Sequence, residues 1–144
     1  MRKLYIEKEM DITPEKSLMA GDFINFCADS LPVSGDFEIH VVSDRDYHNI
    51  GTTAAYHIGK NIVKVYGKNR ALVDILRSIA HELTHMMQDE SGMLDGQIQD
   101  AGGPIEDEAN ARAGELIKLY AKSSPERKRI YESAIIRQNM MMLL

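Results

Sequence analysis

Ala80-His81-Glu82-Leu83-Thr84-His85 stands in the middle of the chain's clearest helical pattern, and its reading decides the fold. Histidines four apart on a helix lie one above the other on the same face, where both can direct a ring nitrogen at one Zn²⁺. Glu82 follows His81 by about a third of a turn, close enough to handle a water held by the metal. The motif therefore points to a zinc hydrolase, and to peptide-bond hydrolysis as its chemistry.

The surrounding pattern predicts a helix from Arg70 to Asp89. At about 100° per residue, Leu72, Leu76, Ile79, Leu83, Met86 and Met87 gather into one apolar stripe. His81 and His85 fall on the opposite side with Asp74 and Ser78. One face of this helix belongs to the core, and the other forms the floor of a cleft that some later segment must cover.

The elements before it read as the rest of a small sheet and one helix. Leu4 and Ile6 alternate with charged residues in a short N-terminal strand. Thr13-Pro14 caps and opens a helix to Ser30, with Met19, Phe23, Phe26, Cys27 and Leu31 on its buried side. Phe37, Ile39 and Val41 alternate in a half-buried strand. The runs 53–58 and 61–66, separated by Gly59-Lys60, predict a β-hairpin closed by a two-residue type II′ turn. The expected fold is α+β: a single zincin-like domain over residues 1–144, with a small mixed or antiparallel sheet and its hairpin packed on the motif helix.

A catalytic zinc site takes three protein ligands and keeps an open position for water. His40, His48 and His57 are scattered without ligand spacing. The acids Glu106, Asp107 and Glu108 open a helix over 105–120, after the Gly-rich connection 91–103 and Pro104. Acids there also suit a helix dipole without any metal. Taking Ala109 as the centre of the buried side, Glu106 lies about 60° round, whereas Glu108 lies on the far flank and Asp107 near the back. A carboxylate turned toward packed residues is costly unless something pairs with it. A metal would pair with Glu106, and Glu108 is the alternative ligand.

His81-Glu82-Leu83-Thr84-His85 followed by Glu106-Asp107-Glu108-Ala109-Asn110 resembles the gluzincin peptidases. In some of these a glutamate in an E-x-x-A-D/N arrangement completes the metal site, and the residue four positions later supports a ligand histidine. The run from Glu106 to Ile117 is also similar to that of the small ImmA/IrrE-type metallopeptidases, although Arg112 stands at an aromatic position and no Met-Pro follows Leu116-Ile117. The resemblance spans Ser78 to Ile117. It implies His81, His85 and Glu106 as Zn²⁺ ligands, Glu82 as general base and Asn110 as the support of a ligand histidine. It also implies an extended substrate pairing beside the active-site helix, with the hairpin around Ile62 to Tyr66 as the docking strand. Tyr56, His57 and Tyr120 are candidate oxyanion donors.

Composition bounds the partners. A formal charge of −5 across 144 residues disfavours nucleic acid, apart from a local basic run at Lys122 to Arg129. The charged N-terminus does not read as a signal peptide, and no stretch has the length and apolarity of a membrane span. Cys27 lacks an internal partner and reads as a reduced core thiol. These features predict a cytoplasmic metallopeptidase acting on a protein or peptide. Two rivals are a non-catalytic zinc-binding module that docks a partner through a helix from Ser124-Pro125 to Met141 and the Met-rich end, and a metal-free helical adaptor.

Overall fold

The computed structural model of the chain describes residues 1–10, 12–33, 35–48, 50–94 and 102–132. Strand β1 (Arg2–Ile6) leads into helix α1 (Pro14–Ser30). Thr13 caps that helix by accepting the Lys16 N–H at 3.2 Å, with Pro14 opening its first turn. Strands β2 (Phe37–Val42), β3 (Ala54–His57) and β4 (Ile62–Tyr66) complete a four-stranded sheet in the order β1-β2-β4-β3. The β1/β2 and β2/β4 pairs are parallel, and β3 runs antiparallel to β4. A parallel neighbour requires a crossover rather than a tight turn; α1 provides it between β1 and β2. The fold is therefore α+β with a mixed sheet.

The period-2 pattern sets the two faces of the sheet. Phe37, Ile39, Val41, Val63 and Val65 are buried, while Lys3 and Tyr5 on the other face are exposed and Glu38, His40 and Lys64 half-buried. Helix α2 (Leu72–Glu90) lies against β3 and β4, with α1 beside it and α3 (Pro104–Lys122) packed along its length. The apolar stripe of α2 enters the core as its spacing predicts: Leu72, Leu76, Ile79, Leu83 and Met86 are buried and Met87 is half-buried. Cys27 is fully buried within the core of α1, and that burial pushes its thiol pKa up. Among the described residues no helix is long and apolar enough to cross a membrane.

Three sequence expectations change. The hairpin connection is not the two residues Gly59-Lys60, because His57 pairs with Ile62 and leaves 58–61 as a four-residue loop. Lys60 N–H donates to His57 C=O at 3.0 Å, and Gly59 and Asn61 both take positive φ, 79° and 54°. Asn is one of the few side chains that tolerates that region, so the turn uses two left-handed positions rather than one.

Strand β4 is interior, with β2 on one side and β3 on the other, so it has no free edge to offer an extended peptide. That edge belongs to β3. Finally, the helix expected to run regularly from residue 125 is interrupted: one turn, α4 (Pro125–Lys128), gives way to a 3-10 turn at Arg129–Tyr131 before helical geometry resumes at Glu132. Ile130 is buried as expected, and the remainder of that predicted helix, with the Met-rich end, lies outside the described residues.

Two anchors tie the layers together. The Tyr120 ring of α3 meets Phe23 of α1 edge-on at 5.1 Å, and its hydroxyl donates to Asp22 at 2.7 Å. Arg127 holds the same carboxylate at 2.9 Å. At the other end, Gly67 begins the link from β4 to α2. A Cβ there would stand 2.7 Å from Val41 Cγ1 and 2.8 Å from Met10 Cε. Val41 is a β-branched core residue on a central strand and has little room to move. Gly67→Ala is expected to lower unfolding free energy by about 1–3 kcal/mol through overpacking, measured by urea denaturation; an unchanged midpoint would show that the junction is looser than this.

Candidate metal centre

Helix α2 is buried on two sides. The side opposite its core stripe carries His81 and His85, with Glu82 on the flank between, and α3 with β3 covers it. The His85 side chain is 1% exposed and that of His81 17%; Glu82 is 6% exposed. Glu106, in the first turn of α3, reaches across to both imidazoles. Its Oε1 is 2.6 Å from His81 Nε2, and its Oε2 is 3.2 Å from His85 Nε2. The two Nε2 atoms are 3.2 Å apart. Among the described residues, His81, His85 and Glu106 are the group whose ligand atoms converge in this way, all within 4.8 Å of one another.

The hydrogen bonding around His85 shows which of its nitrogens is free. Its Nδ1 lies 2.7 Å from Gln88 Oε1. The orientation of the Gln88 amide is not ambiguous: its nitrogen faces the Ile105 carbonyl at 3.0 Å and the Glu108 carboxylate at 2.8 Å, and neither can donate. Gln88 Oε1 is thus an acceptor, so His85 Nδ1 carries a proton, and in the neutral form of the ring the lone pair is left on Nε2, which faces Glu106 Oε2.

The donor set fits Zn²⁺. Nitrogen and oxygen ligands at about 2.0–2.1 Å in tetrahedral array stand about 3.3 Å apart, close to the spacing of the two Nε2 atoms and to that of His85 with Glu106. The shorter His81–Glu106 contact is an ordinary charge-assisted hydrogen bond. The Oε2 of Glu82 is buried and has no hydrogen-bond partner among the described residues. Burial, reinforced by the nearby Glu106 charge and partly offset by the Tyr56 backbone N–H, raises the Glu82 pKa to about 8. Burial also lowers the His81 pKa, with Glu106 acting in the opposite sense. An orphaned acidic oxygen therefore stands beside two imidazoles and a carboxylate.

The sequence-predicted residues come together unevenly. His81, Glu82, His85 and Glu106 meet, and the Asn110 side chain hydrogen-bonds His81. Glu108 bonds Gln88 instead of facing the histidines. Of the candidate oxyanion donors, Tyr120 is committed to Asp22 in the α1/α3 interface, and the Tyr56 hydroxyl donates to Asp89 at 2.6 Å. His57, next to Tyr56 in β3, falls on the other face of the strand. His40 pairs with Glu38, and His48 with Glu7. In the basic run, Arg127 pairs with Asp22 and Arg129 with Glu15 and Glu132.

Gln88 was not singled out by sequence reading. The available signal was its place three residues after His85, where helical neighbours meet.

Compared with known proteins, the chain matches no protein-family model, no curated protein and no solved structure.

Because the Tyr56 hydroxyl is engaged by Asp89, its role is to hold β3 on α2. Tyr56→Phe should lower unfolding free energy by about 1.5 kcal/mol, the worth of a hydrogen bond to a charged group. It should leave metal binding unchanged. Loss of bound metal at unaltered stability in that variant would place the hydroxyl at the centre itself.

Proposed function

We propose that the protein is a zinc-dependent peptidase of gluzincin type, in which His81, His85 and Glu106 hold the metal and Glu82 is the general base. The observation that carries this reading is the convergence of two imidazoles and one carboxylate beside a buried carboxylate oxygen that has no partner. Bound there, Zn²⁺ supplies an acidified water and polarises a carbonyl. Glu82 would take a proton from the attacking water and deliver it to the leaving amine. Asn110 and Gln88 hold the two rings in orientation, and α3 excludes bulk water from one side.

A peptide substrate is favoured by the position of β3. Tyr66 N–H donates to Thr53 C=O at 2.8 Å, so the hydrogen-bonded pairs alternate as 53/66, 55/64 and 57/62. The backbone groups of Ala54 and Tyr56 therefore point away from β4, and the Tyr56 N–H reaches Glu82. An extended chain adding to this edge by β-augmentation would run directly past the general base. Strand β3, not the 62–66 segment, is the docking strand in this proposal, and the cellular setting proposed is the cytoplasm.

Metal analysis tests the ligand set. Purified protein should carry one equivalent of zinc, Glu106→Ala should lose it, and Glu108→Ala should retain it; the reverse order in the two variants would move the ligand to Glu108. Activity tests the base. Glu82→Gln should keep its zinc while hydrolysis of a peptide library falls by about 10²–10⁴-fold, and undiminished cleavage would remove Glu82 from the role.

A further inference from the structure

We propose that Gln88 is the positioning residue that assembles this centre, and that Glu108 is its anchor. The inference rests on the metal-centre reading above and concerns how the chain builds the site rather than what occupies it.

Gln88 is a fully buried polar residue at the contact between α2 and α3. All of its amide capacity is directed. The carbonyl oxygen accepts from His85 Nδ1 at 2.7 Å. The amide nitrogen donates to the Ile105 carbonyl at 3.0 Å and to Glu108 Oε1 at 2.8 Å. A Met or Leu would fill the same space, so packing alone does not ask for an amide.

Two consequences follow from this geometry. On α2, the acceptor selects the His85 tautomer whose Nε2 is bare, the form a metal requires; outer partners of ligand histidines act in this way generally. On α3, the two acceptors straddle the ligand. Ile105 precedes Glu106 and Glu108 follows it by two residues, so the amide grips the first turn of α3 on both sides of the carboxylate. One side chain thus couples the orientation of a histidine on one helix to the delivery of the glutamate from the other. It also consumes Glu108, which explains why that acid bonds Gln88 while Glu106 faces the histidines.

Four full-length variants test the proposal: Gln88→Met, Gln88→Glu, Glu108→Gln and the double Gln88→Glu/Glu108→Gln. The readouts are the histidine ring tautomers in the zinc-free protein, from ¹H–¹⁵N NMR correlations at a pH where the rings are neutral, and the zinc Kd by chelator competition.

In the wild type, His85 should be the Nδ1–H tautomer. Gln88→Met should lose that preference and bind zinc about 10–100-fold more weakly. Gln88→Glu keeps an acceptor for His85, so the tautomer stays. It sets two carboxylates against each other, however, and zinc affinity should fall. Adding Glu108→Gln restores a donor–acceptor pair with its direction exchanged, and affinity should return toward wild type. Glu108→Gln alone replaces a charged acceptor with a neutral one for the Gln88 amide and is the reference against which the double variant is read.

A purely structural Gln88 predicts a different set of results: lowered unfolding midpoints, with the His85 tautomer unmoved and no recovery in the double variant. An unchanged tautomer and unchanged zinc affinity in Gln88→Met would overturn the proposal. So would failure of Glu108→Gln to rescue Gln88→Glu, and this second comparison decides the matter if Gln88→Met does not fold. Absence of zinc from the wild type would count against the metal-centre reading, while the zinc-free tautomer measurement would still decide the role of Gln88.

Discussion

The structure depends on holding a carboxylate from one helix against two imidazoles of another in a place largely closed to water. Glu106, His81 and His85 meet at hydrogen-bond distances, with buried Glu82 beside them. In a medium of low polarisability, an acid near a second acid is unfavourable by itself. The raised pKa of Glu82 and the orphaned Oε2 atom express that conflict. In the proposed zinc centre a divalent cation would relieve it, pairing with the Glu106 carboxylate and taking a lone pair from each ring.

Everything around the site serves to bring α3 onto the outer face of α2. The α2 helix is amphipathic in an unusual sense: its apolar stripe fills the core, and its polar stripe is also buried, beneath α3 and beside β3. Tyr120 and its ring contacts to Phe23 fasten α3 to α1, and the Asp22–Arg127 pair extends that fastening to α4. At the sheet, Tyr56 reaches past the edge to Asp89, so β3 is tied to the same helix that carries the histidines. The result leaves the backbone edge of Ala54 and Tyr56 beside Glu82. Rigid secondary structure supplies each group, which suits a centre whose geometry must be met to a few tenths of an ångström.

Much of this was legible in the sequence, for local reasons. The stripe of α2 and the opposite placement of His81 and His85 follow from helical periodicity alone, and the same periodicity separated Glu106 from Glu108. Caps at Thr13 and Ser124 and the alternation in β2 are likewise written in neighbouring residues. What escaped depends on contacts remote in sequence. Strand order is non-local, so the period-2 pattern of Ile62–Tyr66 could not reveal that β2 would cover its second side and leave β3 as the edge. The hairpin loop escaped because Asn61 can take a left-handed conformation as Gly59 does, which lengthens the turn without a distinctive signal. Gln88 escaped because its meaning lies in three partners, two of them on a helix that begins sixteen positions later.

The most direct test of the central claim is X-ray absorption at the zinc edge on the purified protein. A centre built from His81, His85 and Glu106 requires a low-coordinate shell of nitrogen and oxygen at about 2.0–2.1 Å, with outer-shell scattering from two imidazoles and no sulfur. A six-coordinate oxygen shell, a sulfur ligand from Cys27, or a protein that holds no zinc at all would contradict it.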